Sequence, residues 1–456
     1  MARAWWLGLG AVVAAAVGSA SGCESSDGSL LPPAGSGGGT LFNTGGDGPC
    51  FALECQQVDC PAGQTTSVSG TVYAPEGTLP LYNVLVYVPN APLDPIPDGA
   101  SCDQCGSVSG DPLVAVLTDT AGRFTLEDVP VGDNIPLVIQ IGKWRKEITL
   151  PTVAECVDTP LTDPGTTKLP SNQGEGHIPK IALTAGSADS LECLLLKVGL
   201  DPAEFTLSNG DGRVNLYAGA NGTNQYNGSM AGGAPFESAQ GQLWNDLASL
   251  MRYDLVLLSC EGGQELGQKP MNARQAMHDY ASAGGRIFMS HWHNGWLEQG
   301  AGQWPTVANW DFQDDPPMPY TGIVDQSFPK GQAMAEWLVN VGGSTTLGEL
   351  DITEPQHTLT TVNSPVQQWI YGEAPDTGSV KYFSFNAPLG AADEDLCGRV
   401  VFSDIHVSSG DDSGPAYPTG CTSMGLTPQE KALIFMLFDL SACITPDDEP
   451  PVPPVD

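Results

Sequence analysis

Residues able to bind a metal or catalyse a reaction follow three predicted strands in the second half of the chain. They are Cys260 and Glu261 after the first strand, His291 and His293 after the second, and Asp404 and His406 at the end of the third. Open α/β sheets bind ligands at the carboxyl ends of their strands. Imidazole and carboxylate groups together suit Zn²⁺ or a similar divalent metal, whose open position polarises a water molecule. Glu261, the three histidines and Asp404 therefore form a candidate metal or polar-ligand site.

Other interpretations of these residues stay open. In a purely structural one, His291 packs beneath the rim of the sheet and His406 bonds a backbone carbonyl. In a catalytic one, Cys260 is a nucleophile and His291 is its base. An inert, buried thiol is the alternative for Cys260, which we take as the candidate free cysteine.

The elements that must position these residues alternate between strand and helix from residue 179 onward. Such alternation is typical of a parallel sheet covered by helices. The predicted strands are 180–184, 213–217, 253–259, 286–290 and 399–405, and the predicted helices are 187–197, 240–251, 272–283 and one beginning at Thr427. An insertion of about residues 295–390 interrupts the pattern. The predicted fold class is multidomain, with a small all-β sandwich and an α/β flavodoxin-like doubly wound parallel sheet that carries an insertion.

Three segments of this region carry a family resemblance. Residues 253–263 (a Tyr-Asp strand ending in Gly-Gly), 283–291 and 399–406 resemble the class I glutamine amidotransferase-like superfamily, including its trehalose-utilisation-type members. The resemblance implies an α/β domain. That family places its nucleophilic cysteine where this chain has His291, and the Gly-x-Cys-x-Gly pattern of its elbow is missing. Glutamine amidotransferase activity is therefore not expected.

The first half of the chain has the short alternating runs of an all-β sandwich. It contains Gly-x-Val at Gly70, Asp-x-x-Gly-x-Phe at Asp119 and Val-Pro-x-Gly at Val129, in that order. These motifs resemble the carboxypeptidase regulatory-like domain, a transthyretin-type sandwich. The resemblance implies a folding or binding module without catalysis that sometimes contacts sugars.

The N-terminus predicts export. A basic start, an apolar run over 4–17 and small residues before Cys23 are typical of a secretory signal peptide. Ala20-Ser21-Gly22-Cys23 resembles the lipobox of bacterial lipoproteins, which implies lipidation of Cys23. Ala20 stands where that family usually has leucine, so cleavage without a lipid is the alternative. Glu24, in place of an aspartate that favours inner-membrane retention, points to the outer membrane.

The charge of the chain excludes some partners. Asp and Glu number 53 against 17 Lys and Arg, and the net charge is −36. This field repels nucleic acid and anionic lipid surfaces, so attachment to the cell envelope would come from the lipid on Cys23. Acidity spread along an exported chain mainly keeps it soluble, and bound divalent cations are the alternative.

Twelve cysteines in an exported chain predict disulfides. Six of them, from Cys50 to Cys156, can form three bridges among themselves. In a flavodoxin-like order Cys193 and Cys443 lie on helices of the same face, so we predict a Cys193–Cys443 bridge. Cys397 and Cys421 then pair, and Cys260 remains free.

The predicted organisation is a signal peptide (1–22), a lipidated cysteine with a flexible tether (23–63), the sandwich (64–155), a linker (156–177), the α/β domain (178–445) and a disordered acidic tail (446–456). A candidate aromatic platform for sugar rings consists of Trp292, Trp296, Trp304 and Trp310. The sequence favours a surface binding or scaffolding protein, with carbohydrate or a cell-surface protein as partner. A metal-dependent hydrolase using the strand-tip residues is the alternative.

Overall fold

Strands dominate the structure, which is a computed structural model that describes residues 50–105, 108–373, 376, 378–406, 414–421 and 425–454. The predicted signal peptide, Cys23 and most of the tether lie outside these residues. The chain from Cys50 onward forms one unit. Within the described residues, no helix combines the length and the apolar character that crossing a membrane requires.

The N-terminal half forms two packed sheets. Its strands are β1 (Ser67–Thr71), β2 (Leu85–Pro89), β3 (Pro112–Leu117), β4 (Arg123–Leu126), β5 (Gly132–Ile141), β6 (Trp144–Val153) and β7 (Asp158–Leu161). One sheet has the order β4-β1-β7 and the other β3-β2-β5-β6. The segment 156–177, predicted as a linker, instead contributes β7, which pairs in parallel with β1.

The second half alternates strands and helices. In chain order its elements are α1 (Pro164–Thr167), β8 (Ile181–Ala185), α2 (Leu191–Lys197), β9 (Phe205–Thr206), β10 (Val214–Ala218), β11 (Glu237–Ser238), α3 (Leu247–Leu250), β12 (Leu255–Leu258), α4 (Met271–Ser282), β13 (Arg286–Ser290), α5 (Gly295–Glu298), β14 (Ala308–Trp310), β15 (Tyr320–Val324), α6 (Pro329–Asn340), β16 (Glu349–Ile352), β17 (Leu359–Val362), β18 (Gln367–Gly372), β19 (Val380–Ala387), β20 (Gly398–Ser403) and α7 (Pro428–Ser441).

The main sheet has a parallel half and an antiparallel half. Its parallel strands have the order β10-β8-β12-β13-β20, with the short β11 outside β10. Counted along the chain, these five strands follow the order 2-1-3-4-5 of a doubly wound sheet. The insertion continues the same sheet beyond β20 with the antiparallel strands β19, β18, β15 and β16.

Apolar residues on successive positions of the parallel strands face two different cores. Ala182, Val256 and Ile287 pack in the cluster that contains the buried face of α4. Their neighbours Leu183 and Leu257 pack in the cluster that contains α2 and α7. Both faces of the sheet are covered, which explains why these strands read as continuous apolar runs rather than alternating ones.

The sandwich shares its core with the α/β region. Tyr82 stacks on Phe435 of α7 with ring centroids 5.8 Å apart. Trp144 lies 5.9 Å from Phe438 one turn later. One apolar cluster therefore runs from the sandwich through α7 to the parallel sheet.

The disulfides correct the predicted pairing. Cys193 pairs with Cys421 rather than Cys443, and Cys397 does not pair with Cys421. The bridges are Cys50–Cys55, Cys60–Cys156, Cys102–Cys397, Cys105–Cys443 and Cys193–Cys421. The prediction failed because the long loop between β2 and β3 reaches the α/β region, where both of its cysteines find partners. Cys260 is free and buried.

Two local predictions had different outcomes. The helix predicted to begin at Thr427 is α7, and Thr427 caps it in a capping box: its hydroxyl accepts from the backbone N–H of Glu430 at 3.2 Å. The helix predicted over 240–251 is broken, because the Asp246 side chain accepts from the N–H of Ala248 and starts the short α3.

An ion pair attaches the start of the segment predicted as a disordered tail to the α/β region. Asp447 forms an ion pair with the buried Arg399 at 2.7 Å. Arg399 also pairs with Asp439 of α7 at 2.9 Å, and Lys330 lies 3.0 Å from the same carboxylate. A guanidinium this deeply buried needs carboxylate partners, and Asp447 supplies one of them.

Removing the bridge between the sandwich loop and the α/β region should cost more stability than removing a local one. Cys102 and Cys397 are 295 residues apart, whereas Cys50 and Cys55 are five apart. We expect Cys102→Ser/Cys397→Ser to lower the free energy of unfolding by about 2–5 kcal/mol, since a longer loop gains more entropy when it is opened. Urea denaturation of this variant and of Cys50→Ser/Cys55→Ser measures the two losses of unfolding free energy. Equal losses for the two would contradict the expectation.

Candidate metal centre

Three side chains from three strand ends converge on one point. The Cys260 Sγ lies 3.7 Å from Nδ1 of His291, which lies 3.0 Å from Nε2 of His406. One donor atom from each of the three residues falls within 4.8 Å of the others. We call these three residues the candidate metal centre.

The spacing of these atoms matches a tetrahedral metal site. Ideal zinc bond lengths of about 2.3 Å to sulfur and 2.0–2.1 Å to nitrogen put a sulfur and a nitrogen ligand about 3.6 Å apart. Two nitrogen ligands would lie about 3.3 Å apart by the same geometry. The observed 3.7 and 3.0 Å are within a few tenths of an ångström of these values. Three protein ligands leave the fourth position open.

The parallel sheet sets this convergence. β12, β13 and β20 are adjacent and parallel, so their carboxyl ends lie side by side. Cys260 follows β12 by two residues, His291 follows β13 directly, and His406 comes shortly after β20. His291 has a φ of 34°, in the left-handed region that a branched or bulky residue rarely adopts. That backbone turn begins the short 3₁₀ segment His291–Asn294.

A carboxylate orients His406 from behind. Nδ1 of His406 lies 3.4 Å from the Glu354 carboxylate, which leaves Nε2 directed at the centre. A carboxylate on the far nitrogen of a ligand histidine fixes its tautomer and raises its basicity. The hydrogen bond to His406 also holds the pKa of Glu354 below its usual value.

The centre favours a positive charge. Burial opposes protonation of His406, but its hydrogen bonds to Cys260 and Glu354 outweigh burial and raise its pKa to about 11. Burial and the charge of His406 lower the pKa of His291 to about 2, so its ring is neutral and can act as a ligand. His406 therefore carries a proton at neutral pH, and a divalent cation that binds here would replace this proton and supply its positive charge.

A buried aspartate joins two of the strand ends. The Asp189 carboxylate accepts a hydrogen bond from the Ser290 hydroxyl and one from the backbone N–H of Cys260 at 3.4 Å. Asp189 is 1% exposed and its charge acts on His406. The predicted helix over 187–197 instead begins at Leu191, so Asp189 precedes α2 and bonds the strand ends.

Glu261, predicted as a candidate ligand, lies in a separate ion pair. Its carboxylate binds the ammonium of Lys269, and both side chains are at most 1% exposed. The other carboxylate oxygen accepts from the backbone N–H of Ala220 at 2.8 Å. These contacts use the groups that a metal would need, so Glu261 does not join the centre.

His293 and Asp404 also have other partners. Nε2 of His293 donates to the carbonyl of Ser259 at 2.8 Å, and Nδ1 accepts from the Trp296 indole at 3.0 Å. Burial lowers the pKa of His293, which keeps the ring neutral. Asp404 accepts two hydrogen bonds from Thr358, each 2.8 Å long. Burial raises the pKa of this carboxyl.

The four predicted platform tryptophans do not form one exposed surface. Trp296 and Trp304 are fully buried. Trp310 packs edge-on against Phe402 with centroids 5.7 Å apart. Only Trp292 of the four lies beside the candidate metal centre, with its ring centroid 4.8 Å from that of His291. The other three tryptophans pack in or against the core. The sequence pattern does not distinguish core packing from the binding of sugar rings.

The residues that sequence reasoning missed come from outside the strand-tip pattern. Glu354 lies in the insertion after β16, and no motif surrounds it. It reaches the site because residues 354–356 run beside 404–406, with the His406 N–H donating to the carbonyl of Glu354 at 3.2 Å. Only the tertiary pairing of these segments identifies Glu354.

No family model and no curated protein matches the chain. Several solved structures do. A putative GMP synthase protein of Thermoplasma acidophilum matches 58% of this chain and 95% of its own, at 7% identity and a TM-score of 0.32. A putative ThuA-like protein of Bacteroides uniformis matches 57% and 89%, at 11% identity and a TM-score of 0.30.

A third solved structure, PurLQS of Thermotoga maritima, matches 57% of this chain and 99% of its own, at 11% identity and a TM-score of 0.30. TM-scores this low carry no argument of their own, so the α/β assignment depends on the strand order of this chain.

Breaking the Glu261–Lys269 pair should affect stability rather than metal binding. Lys269→Met leaves a buried carboxylate without its cation, and we expect the free energy of unfolding to fall by about 3–5 kcal/mol. Glu261→Gln/Lys269→Met removes the uncompensated charge and should recover part of that loss while keeping bound metal. Chemical denaturation and metal analysis test both. Loss of metal in the double variant would instead indicate that Glu261 is a metal ligand.

Proposed function

We propose that Cys260, His291 and His406 bind a divalent transition metal, zinc first, and that this centre hydrolyses its substrate through a metal-bound water. The observation that carries the proposal is the convergence of three donor atoms, because two of their separations are close to those of a tetrahedral zinc site and three protein ligands leave one position open. Zinc at such a site lowers the pKa of its bound water to about 7 and makes it a nucleophile at neutral pH.

The residues around the centre support this role. Glu354 orients His406, and Asp189 holds the ends of β12 and β13 in place. A thiolate with two neutral imidazoles leaves one net positive charge on a bound divalent ion. The Glu354 and Asp189 carboxylates offset that charge without occupying the open position.

Two features support the proposed hydrolase rather than the binding protein that the sequence favoured. A sugar-binding platform needs exposed rings, and Trp296 and Trp304 are buried. An enzyme needs the strand-end histidines to converge, and His291 and His406 do so. The carboxylates beside them are Glu354 and Asp189, in place of the predicted Glu261 and Asp404. We retain as part of the proposal that the protein is exported and anchored in the cell envelope through a lipid on Cys23.

Metal analysis tests the centre directly. We expect the purified protein to bind about one equivalent of zinc and to hydrolyse simple esters only when it is loaded. His291→Ala, His406→Ala and Cys260→Ser should each lose the metal and the activity. The matched control is His278→Ala, since His278 is a partly exposed histidine of α4 whose ring nitrogen contacts the neighbouring Asp279. Thermal melting of each variant separates loss of metal from loss of fold.

Two results would overturn the proposal. One is a protein that binds neither zinc nor cobalt at micromolar concentrations while it is folded. The other is selective binding of copper with an intense visible thiolate band, because a Cys-His-His set also suits a copper electron-transfer site.

Glu354 should act through His406 and not as a ligand. We expect Glu354→Gln to weaken zinc affinity about 10–100-fold, as for other carboxylates behind ligand histidines. Glu349→Gln, on the exposed face of β16, is the matched control and should leave the affinity unchanged. Competition with a fluorescent zinc chelator measures both. Equal affinities for the two variants would remove Glu354 from the site.

A further inference from the structure

A row of four rings leads from the candidate metal centre toward solvent. The ring centroids of His406 and His291 are 5.0 Å apart, and those of His291 and Trp292 are 4.8 Å apart. Trp292 then stacks on Phe312 with centroids 5.7 Å apart and planes 14° apart. We call these four residues the aromatic row.

Exposure rises from His291 through Trp292 to Phe312. His291 is 4% exposed and Trp292 is half-buried, whereas Phe312 is 45% exposed. Among the described residues, Phe312 is one of the few large apolar side chains that are exposed. Phe312 packs on Trp292, which packs on the ligand His291, so a wall of two rings presents an exposed apolar surface next to the centre.

The charges beside this wall are negative. Asp311, Asp314 and Asp315 flank Phe312 in the chain and are exposed. The lysine whose charge acts on His291 is Lys381, which is fully buried and bound to Asp376 at 3.0 Å. Lys269, near His293, is likewise held by Glu261. Neither ammonium is available to neutralise a phosphate or sulfate on a substrate.

We propose, on the basis of the metal centre above, that the substrate is a neutral acyl compound that carries a ring, such as an ester of a ring-bearing alcohol. The ring packs on Phe312 and Trp292, and the ester carbonyl reaches the open metal position. Cys260, His291 and His406 would hold a metal that polarises a water molecule, whose oxygen would form a new bond to the carbonyl carbon. The bond to the alcohol oxygen would break, one proton of the water would leave with the alcohol, and the other would be released to solvent with the carboxylate, so that one water is consumed.

Three esters that differ in one property each test the substrate class. Benzyl acetate and ethyl acetate have leaving groups of similar basicity, and only the first has a ring. Benzyl phosphate keeps the ring and adds negative charge. We expect kcat/KM for benzyl acetate to exceed that for ethyl acetate at least tenfold, after correction for their rates in hydroxide, and benzyl phosphate to be inert.

Phe312→Ala should raise KM for benzyl acetate about 2–10-fold, in line with the strength of one aromatic contact. Phe312→Tyr should restore it, and metal content should stay at the wild-type level in both. The matched control is Phe51→Ala, which removes another exposed phenylalanine away from the site and should leave every rate unchanged. Equal kcat/KM for the two acetates, or hydrolysis of benzyl phosphate, would overturn the substrate class.

The two proposals fail in distinguishable ways. A metal-loaded enzyme that cleaves ethyl acetate as well as benzyl acetate would contradict the ring preference and leave the metal centre intact. A folded protein without metal and without hydrolysis of any ester would contradict the proposed function. In that case, titration with benzyl alcohol, followed by tryptophan fluorescence, still tests the aromatic row. No difference in binding between the wild type and Phe312→Ala would overturn it.

Discussion

The candidate metal centre depends on the parallel pairing of β12, β13 and β20. Parallel strands that lie side by side deliver the residues after them to the same edge of the sheet, which brings together side chains far apart in the chain. The strands hold that register because both faces of the sheet are buried, one against α4 and one against α2 and α7. An error in register would move the apolar set of a strand to the wrong core.

Several charged side chains that are buried in this fold are paired with an opposite charge. Arg399 and Lys330 share Asp439 and Asp447, Lys269 binds Glu261, and Lys381 binds Asp376. Breaking such a pair costs more than the pair contributes, because the remaining charge stays buried. The centre differs from these pairs. It gathers a thiol, two imidazoles and two nearby carboxylates, and Lys381, whose charge acts on His291, is bound to Asp376. This arrangement suits a bound cation.

Part of the site could be predicted from the sequence. His291 and His406 were identified because they directly follow apolar strand patterns. Cys260 was predicted as a free thiol or a nucleophile, not as a metal ligand. Glu261, His293 and Asp404 have the same positional signal, yet each is bound to Lys269, Ser259 or Thr358. Position at a strand end brings a residue near the edge, but a side chain's hydrogen-bond partners decide whether it is available. Ser259 and Thr358 are distant in the chain from the residues they bind, whereas Lys269 is eight residues from Glu261.

The sequence by itself determined the local elements: the parallel strands as apolar runs, the capping box of α7, and the short strands of the sandwich. These follow from side-chain periodicity and from hydrogen bonds between near neighbours. Only the tertiary structure decided the disulfide partners, the burial of Trp296 and Trp304, and the role of Glu354. Each of these depends on which distant segments touch, and contacts between such segments arise from the packing of the whole core.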